Sequence, residues 1–349
     1  MEIKSLKIKA ACVSAAVTCL LFMSGMFVIL TPIPVFFISS VYGKRVMKVS
    51  ILLSILSISI VYLFIFPLAL NGIEKGVSYL LLFATLPGFD VARVFNVKVA
   101  QGFGVLYLLY YVCVGCFLSE GLERGWGLTR KIVTPPAIVS ALATVGAFVA
   151  EFVGVRVVSS IKEYFYEAIQ GLISIQKASG LGMNEIVLYV EGNADKLAFY
   201  MTYLSPSILF ITVLFTVFIN QLVGSAVTKG RYRSGIKINP YLDTFVLQDY
   251  IIWPFIAAGL VFFANAYLIH SDVIKFLSLN IAIVFAAIYF LNGLFVVLTL
   301  IKLIKTTWLR RFAYIFLMLS IQTLVPFIFI VGVGDLWIDF RRFVKTKIL

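Results

Sequence analysis

Charge, histidine and cysteine are scarce in this chain. Only 13% of its residues are charged, where soluble domains carry about a quarter, so a water-facing fold has too little polar surface to cover it. The single histidine, His270, stands in the polar link HSDVIK with no second imidazole or cysteine pair near it in sequence. That leaves a zinc site without ligands and makes a solvated loop residue the expectation. Four cysteines are present, and Cys113 and Cys116 form a CxxC, but it lies inside an apolar run with no matching pair elsewhere. Packing, rather than metal or redox chemistry, is expected of it, as of Cys12 and Cys19. No nucleophile with its base, phosphate-cradling loop or metal-ligand cluster occurs, so the sequence predicts no enzyme, no metal and no cofactor.

What fills the chain instead is apolar. Hydrophobic residues make up 62% of it, and mean hydropathy is +1.05. Several runs exceed the roughly 20 residues that cross a bilayer as a helix, and none alternates as barrel strands do. The fold class predicted is all-α, a polytopic helical transmembrane bundle of about 8–10 apolar segments, some short or re-entrant. The 29 Lys and Arg against 16 Asp and Glu leave a net charge of +13. Because the excess sits in short loops beside apolar runs, it points to topology control and lipid headgroups, not to nucleic acid.

The loop after Thr228 sets the topology: Lys229, Arg231, Arg233 and Lys237 face one acid, Asp243, so it belongs in the cytoplasm. Seven full spans before it, from a cytoplasmic N-terminus, would put it outside. An odd number of early runs must therefore fail to cross, and the run broken by Pro87 and Gly88 is the expected one. In order, the first span is expected over Ala10 to Leu30, followed by a short or re-entrant segment opened by Pro32 and Pro34. Spans follow at Val49 to Leu70 and Phe103 to Leu118, and Pro135 and Pro136 act as a stop before Ala137 to Val158.

Residues 159–200 form the one sizeable polar region, with Ile161, Phe165, Ala168, Leu172 and Ile175 on a helical face. A hairpin over the bundle mouth and a surface-lying amphipathic element are both open. Further spans are expected at Tyr250 to Ile269 and Leu277 to Ile301. The last apolar run is either one span or a hairpin bent at Pro326. This divides the chain into an N-terminal membrane half (1–158), an extracytoplasmic hairpin (159–200) and a C-terminal half (201–349) with its basic loop at 229–249.

Polar groups inside apolar runs are the candidate binding residues: Glu151, Asn220, Asn265, Asn292 and Gln322, with Gln221 beside them. Ala11 and Ala15, one turn apart on the first span, form a small-residue seam suited to a partner helix.

Three stretches carry a family resemblance. The small-residue first span leading to TPIPVFF and a Gly-Lys-Arg turn, the FVLQDYIIWPF entry to a span, and the ending GVGDLWIDFRRF resemble the YybS-like predicted membrane proteins, a bacterial family of unknown function. The ending matches that family at Gly332, Asp335, Trp337, Asp339, Phe340 and Arg341, whereas Asn292 stands where the family pattern implies a glutamine before Gly293. The N-terminal half is similar to the substrate-binding S components of energy-coupling-factor vitamin transporters. That similarity implies a small-molecule pocket and a first-helix AxxxA seam for a partner, here Ala11 and Ala15. Read from the residues alone, Trp337 is an interfacial anchor, and Asp335 and Asp339 are placed to pair with Arg341 and Arg342.

The function expected is that of a transport-associated subunit, substrate-binding or permease-like, in a bacterial inner membrane. It would meet the lipid bilayer, other membrane subunits and a small-molecule ligand. The alternative is a non-catalytic scaffold or assembly subunit of a larger membrane complex.

Overall fold

A serine, not a proline, ends the first helix. The computed structural model describes residues 2–24, 27–61, 97–178, 185–228, 245, 247–338 and 340. The Pro87 and Gly88 run and the basic loop at 229–244 lie outside them, as do Asp339, Arg341 and Arg342. Helix α1 covers Glu2–Met23, so it takes in Lys4, Lys7 and Lys9 and stops short of the expected Leu30. Ser24 explains the stop: its hydroxyl donates to the Leu21 carbonyl and accepts from the Phe27 N–H, replacing helix continuation with a side-chain turn.

After a 3-10 turn at Val28–Leu30, α2 (Pro32–Tyr42) begins. Pro32 and Pro34 sit in its first turn, where a missing N–H leaves no helical bond unmade. Gly43, at φ 90°, ends it in a conformation that a Cβ disfavours, and α3 (Lys44–Ile60) starts at once. Later helices are α4 (Val97–Glu123), α5 (Leu128–Phe152), α6 (Val157–Ala178), α7 (Glu185–Gly192), α8 (Ala194–Tyr203), α9 (Ser205–Thr228), α10 (Ile252–Ala264), α11 (Asp272–Lys302) and α12 (Thr307–Ile338). Helix accounts for 91% of the described residues, and no strand occurs among them. Six of the described helical segments are long and apolar enough to cross a membrane, with Val28–Tyr42 a shorter apolar one.

Pro135 and Pro136 do not act as a stop. Both lie buried inside α5, which runs unbroken from Leu128. Each removes one backbone N–H bond, a loss that membrane helices tolerate where neighbouring groups satisfy the freed carbonyls. The end of α5 comes later, at Gly154 (φ 95°). There the Val155 N–H reaches Ala150 O and the Gly154 N–H reaches Glu151 O, a Schellman closure. Pro326 likewise lies within α12, so the final run is one continuous helix of 32 residues rather than a bent hairpin. With α11 at 31 residues, both helices are about 47 Å long and must tilt or project beyond a bilayer core of roughly 30 Å.

The chain forms two compact units. The first comprises Met1–Trp126, Ala147–Thr202 and Leu214–Ile238. Within it, α1 to α4 enclose one core of Phe22, Ile58, Leu108, Tyr111 and Val112 and another of Ala11, Val35, Ile38, Val46 and Met47. Serines bind these helices together: Ser50 donates to Ser14 Oγ (2.9 Å), and Ser14 donates to the Pro34 carbonyl (3.2 Å). Such bonds hold membrane helices where hydrophobic association has no drive.

At one end of this unit Lys44 Nζ bridges Glu120 (2.6 Å) and Glu123 (3.0 Å), and Arg124 joins Glu120. Lys44 first, then Arg124, holds the Glu120 carboxyl below its usual range, while both glutamates push Lys44 up. The signs give two edges. Glu120's contribution is full above about pH 4.3 and fades as pH falls through its lowered value; Lys44's is full below about pH 10.4 and fades above its raised one. This cluster's share of the thermal stability in detergent is therefore expected to be flat between these limits and to weaken below about pH 4. The acid edge is lost in Glu120→Gln, with a cost on the order of 0.5 kcal/mol at neutral pH, since the groups are part exposed.

The hairpin of α6 to α8 also belongs to the first unit as far as Thr202. Its core is Ile169, Ile173, Ala194 and Ala198, with Phe165 packed against it. The buried line on α6 is thus turned from the expected one, because the α8 alanines cover the Ile169 side and leave Leu172 65% exposed.

The second unit comprises Gly127–Gly146, Tyr203–Val213 and Asn239–Leu349, with α10 to α12 as its centre. Phe245 stacks on Phe295 (4.6 Å), and Phe255 meets Tyr289 and Phe329.

Candidate functional site

Two polar clusters stand inside apolar helices, one in each unit. In the second unit, α11 and α12 cross at Gly293 and Gly332. A Cβ at Gly293 would lie 1.8 Å from the Ile328 carbonyl oxygen, and one at Gly332 would lie 1.9 Å from that of Tyr289. Only glycine permits backbones this close. The approach brings Asn292, 1% exposed, within reach of the opposite helix. Its Nδ2 donates to the Gly332 carbonyl (3.0 Å) and to Asp335 Oδ2 (3.3 Å), while the Phe340 N–H donates to Asp335 Oδ1 (3.1 Å). The structure thus unites Asn292 with the terminal motif, an association invisible in either stretch alone. Trp337 is 72% exposed, as an interfacial ring would be.

Tyr289, one turn before Gly293, is fully buried, and its hydroxyl has no partner among the described residues. Asn280 also escaped the sequence reading. Its Nδ2 donates to the Tyr203 carbonyl (2.8 Å) and its Oδ1 accepts from the Ser207 N–H (3.0 Å). An asparagine in an apolar run was the available signal, masked by its closeness to the charged Asp272 and Lys275.

In the first unit, Asn220 of α9 is fully buried. Its Nδ2 donates to the Ile29 carbonyl (2.7 Å), in the 3-10 turn between α1 and α2, and to Thr216 O (2.7 Å). Its Oδ1 and the neighbouring Gln221 Oε1 are buried acceptors without a partner among the described residues. Close by in the same unit, Phe36 lies against Gly224, where a Cβ would come 2.8 Å from the ring.

The other sequence candidates are placed singly. Glu151 lies at the end of α5, where Oε2 accepts the Val158 N–H (2.9 Å) at the start of α6. Asn265 closes a π-helical turn: its carbonyl accepts from His270 N and its Oδ1 from Ser271 N (2.9 Å). His270 takes the left-handed conformation that follows. Gln322 is exposed on α12. Ala11 and Ala15 are buried within the unit, and Ala11 packs on Val35, Ile38, Val46 and Met47. The chain's own helices cover that seam, leaving Val13, Val17 and Leu20 on the open face of α1. Cys113 and Cys116 are free thiols, and no group of three metal-ligating side chains occurs among the described residues.

Residues 66–336 match the model of a family described as predicted membrane protein (DUF2232). No curated protein and no solved structure matches the chain.

Proposed function

The chain belongs to the DUF2232 family of predicted membrane proteins, and from that premise we propose that it is a transport-associated subunit holding a small polar molecule at Asn220. One observation carries the reading: a buried carboxamide whose donor is used on an unwound carbonyl while its acceptor has no partner among the described residues. An orphaned buried acceptor costs about 1–3 kcal/mol, a cost that a ligand hydroxyl or amine would remove. Broken helices facing polar side chains are how membrane carriers build such sites. The similarity of the N-terminal sequence to substrate-binding transporter components points the same way. The membrane would be a bacterial inner one, other membrane subunits would supply the energy-coupling step, and no catalytic role is assigned.

The scaffold reading draws on the Ser14, Ser50 and Asn292 bonds, in which polar groups are spent on holding helices together. Native mass spectrometry of the purified chain separates the two. A co-purifying small molecule is expected, lost at least tenfold in Asn220→Leu and retained in Gln322→Leu. Ligand-free protein recovered only with stoichiometric partners overturns the transport reading.

A further inference from the structure

We infer that the α6 to α8 hairpin is an interfacial element, bedded through its uncovered apolar face in the headgroup and acyl boundary of the bilayer. At 100° per residue, Ile169 and Ile173 lie on one side of the α6 apolar arc, and Ile161, Ala168 and Leu172 lie about 100° round from them. Ala194 and Ala198 cover the first side. Leu172, on the second, is 65% exposed. In α7, Val187 and Val190 pack on the hairpin core, while Ile186, Leu188 and Tyr189 stand 74%, 53% and 66% exposed on the remaining faces.

The occupant follows from continuity and from charge. The end of α5, a candidate membrane span, is apolar and exposed through Phe148, Phe152, Val153 and Val155. The link from Phe152 to Val157 holds four residues and reaches at most about 18 Å. At its other end α8 finishes at Tyr203 and α9, another candidate span, opens at Ser205. Both ends therefore tie the hairpin to the ends of membrane-length helices, one of them the exposed apolar end of α5. Between Val157 and Tyr203 there are three lysines and five acids. Two lysines are used internally, Lys162 on Asp195 (2.8 Å) and Lys177 on Glu191 (2.6 Å). The attraction is accordingly apolar, and zwitterionic lipid suffices.

The test uses the full chain with its four cysteines changed to serine, a spin label at Leu172→Cys, Ile186→Cys or Glu163→Cys, and phosphatidylcholine vesicles. At positions 172 and 186, collisions with oxygen are expected to exceed those with a water-soluble nickel chelate several-fold, and at 163 the order reverses. Adding phosphatidylglycerol or salt leaves the ratios unchanged. Nickel dominance at all three sites, a water-borne hairpin, overturns the inference; so does low access to both reagents at 172 and 186, the signature of a protein cover. Leu172→Trp in the otherwise unaltered chain gives an independent reading. Its added emission is quenched by bromine-labelled phosphatidylcholine if the face is bedded in lipid, and an unquenched signal overturns the inference.

Discussion

Alanine at Gly293 or Gly332 is expected to destroy the α11 and α12 pair. The new Cβ would lie 1.8 or 1.9 Å from a carbonyl oxygen of the facing helix, well inside contact distance. Ordinary overpacking costs about 1–3 kcal/mol because side chains give way. Here the obstacle is backbone on both helices, so relief requires the axes to separate, and that separation takes Asn292 out of reach of Gly332 and Asp335. The loss is expected at or above the top of that range, seen as a collapse of the thermal transition in detergent or as failure to recover folded protein. Gly259 in α10 is the control. A Cβ there meets nothing within 4 Å, so Gly259→Ala keeps or slightly raises stability through helix propensity of about 0.5–1 kcal/mol. Equal losses at positions 259 and 293 would refute the close crossing.

Asn292→Leu is the second large effect. The substitution is nearly isosteric, so it leaves little void, and what it removes is the amide donor shared by the Gly332 carbonyl and Asp335. Interhelical polar bonds in membrane proteins average only about 0.6 kcal/mol. This one serves a carboxylate from a site 1% exposed, which places the expected cost nearer 2 kcal/mol. A double-mutant cycle with Asp335→Leu isolates the pair: the double variant is expected to be less destabilised than the sum of the singles, because no carboxylate then remains to be served. Additivity of the two losses would show that Asn292 acts through the Gly332 carbonyl alone. Gln322→Leu, at an exposed position of the partner helix α12, is expected to be close to neutral.

The amino-acid sequence by itself determined the solvent and the class of fold. Apolar runs of membrane length with 13% charge admit helices and little else. It also marked the break between α1 and α2, since Pro32 and Pro34 can only open a helix there. Its punctuation misled at Pro135 and Pro136 and left the run at Pro326 undecided, because a proline in a membrane helix removes one bond without creating a water-exposed end. The side of α6 that is buried was likewise undecided by a wide apolar arc, until the α8 alanines covered one half of it.

Pairings were beyond the sequence altogether. Asn220 meets Ile29 across 191 positions and Asn292 meets Asp335 across 43. Periodicity reports which way a side chain faces, not what faces it, so an asparagine in an apolar run reads alike whether it caps a turn, as Asn265 does, or keeps an acceptor with no partner among the described residues, as Asn220 does. Only tertiary structure decides between those fates. A buried amide's energy depends on whether its last lone pair finds a donor, and that donor lies on a distant helix, at a turn, or outside the chain.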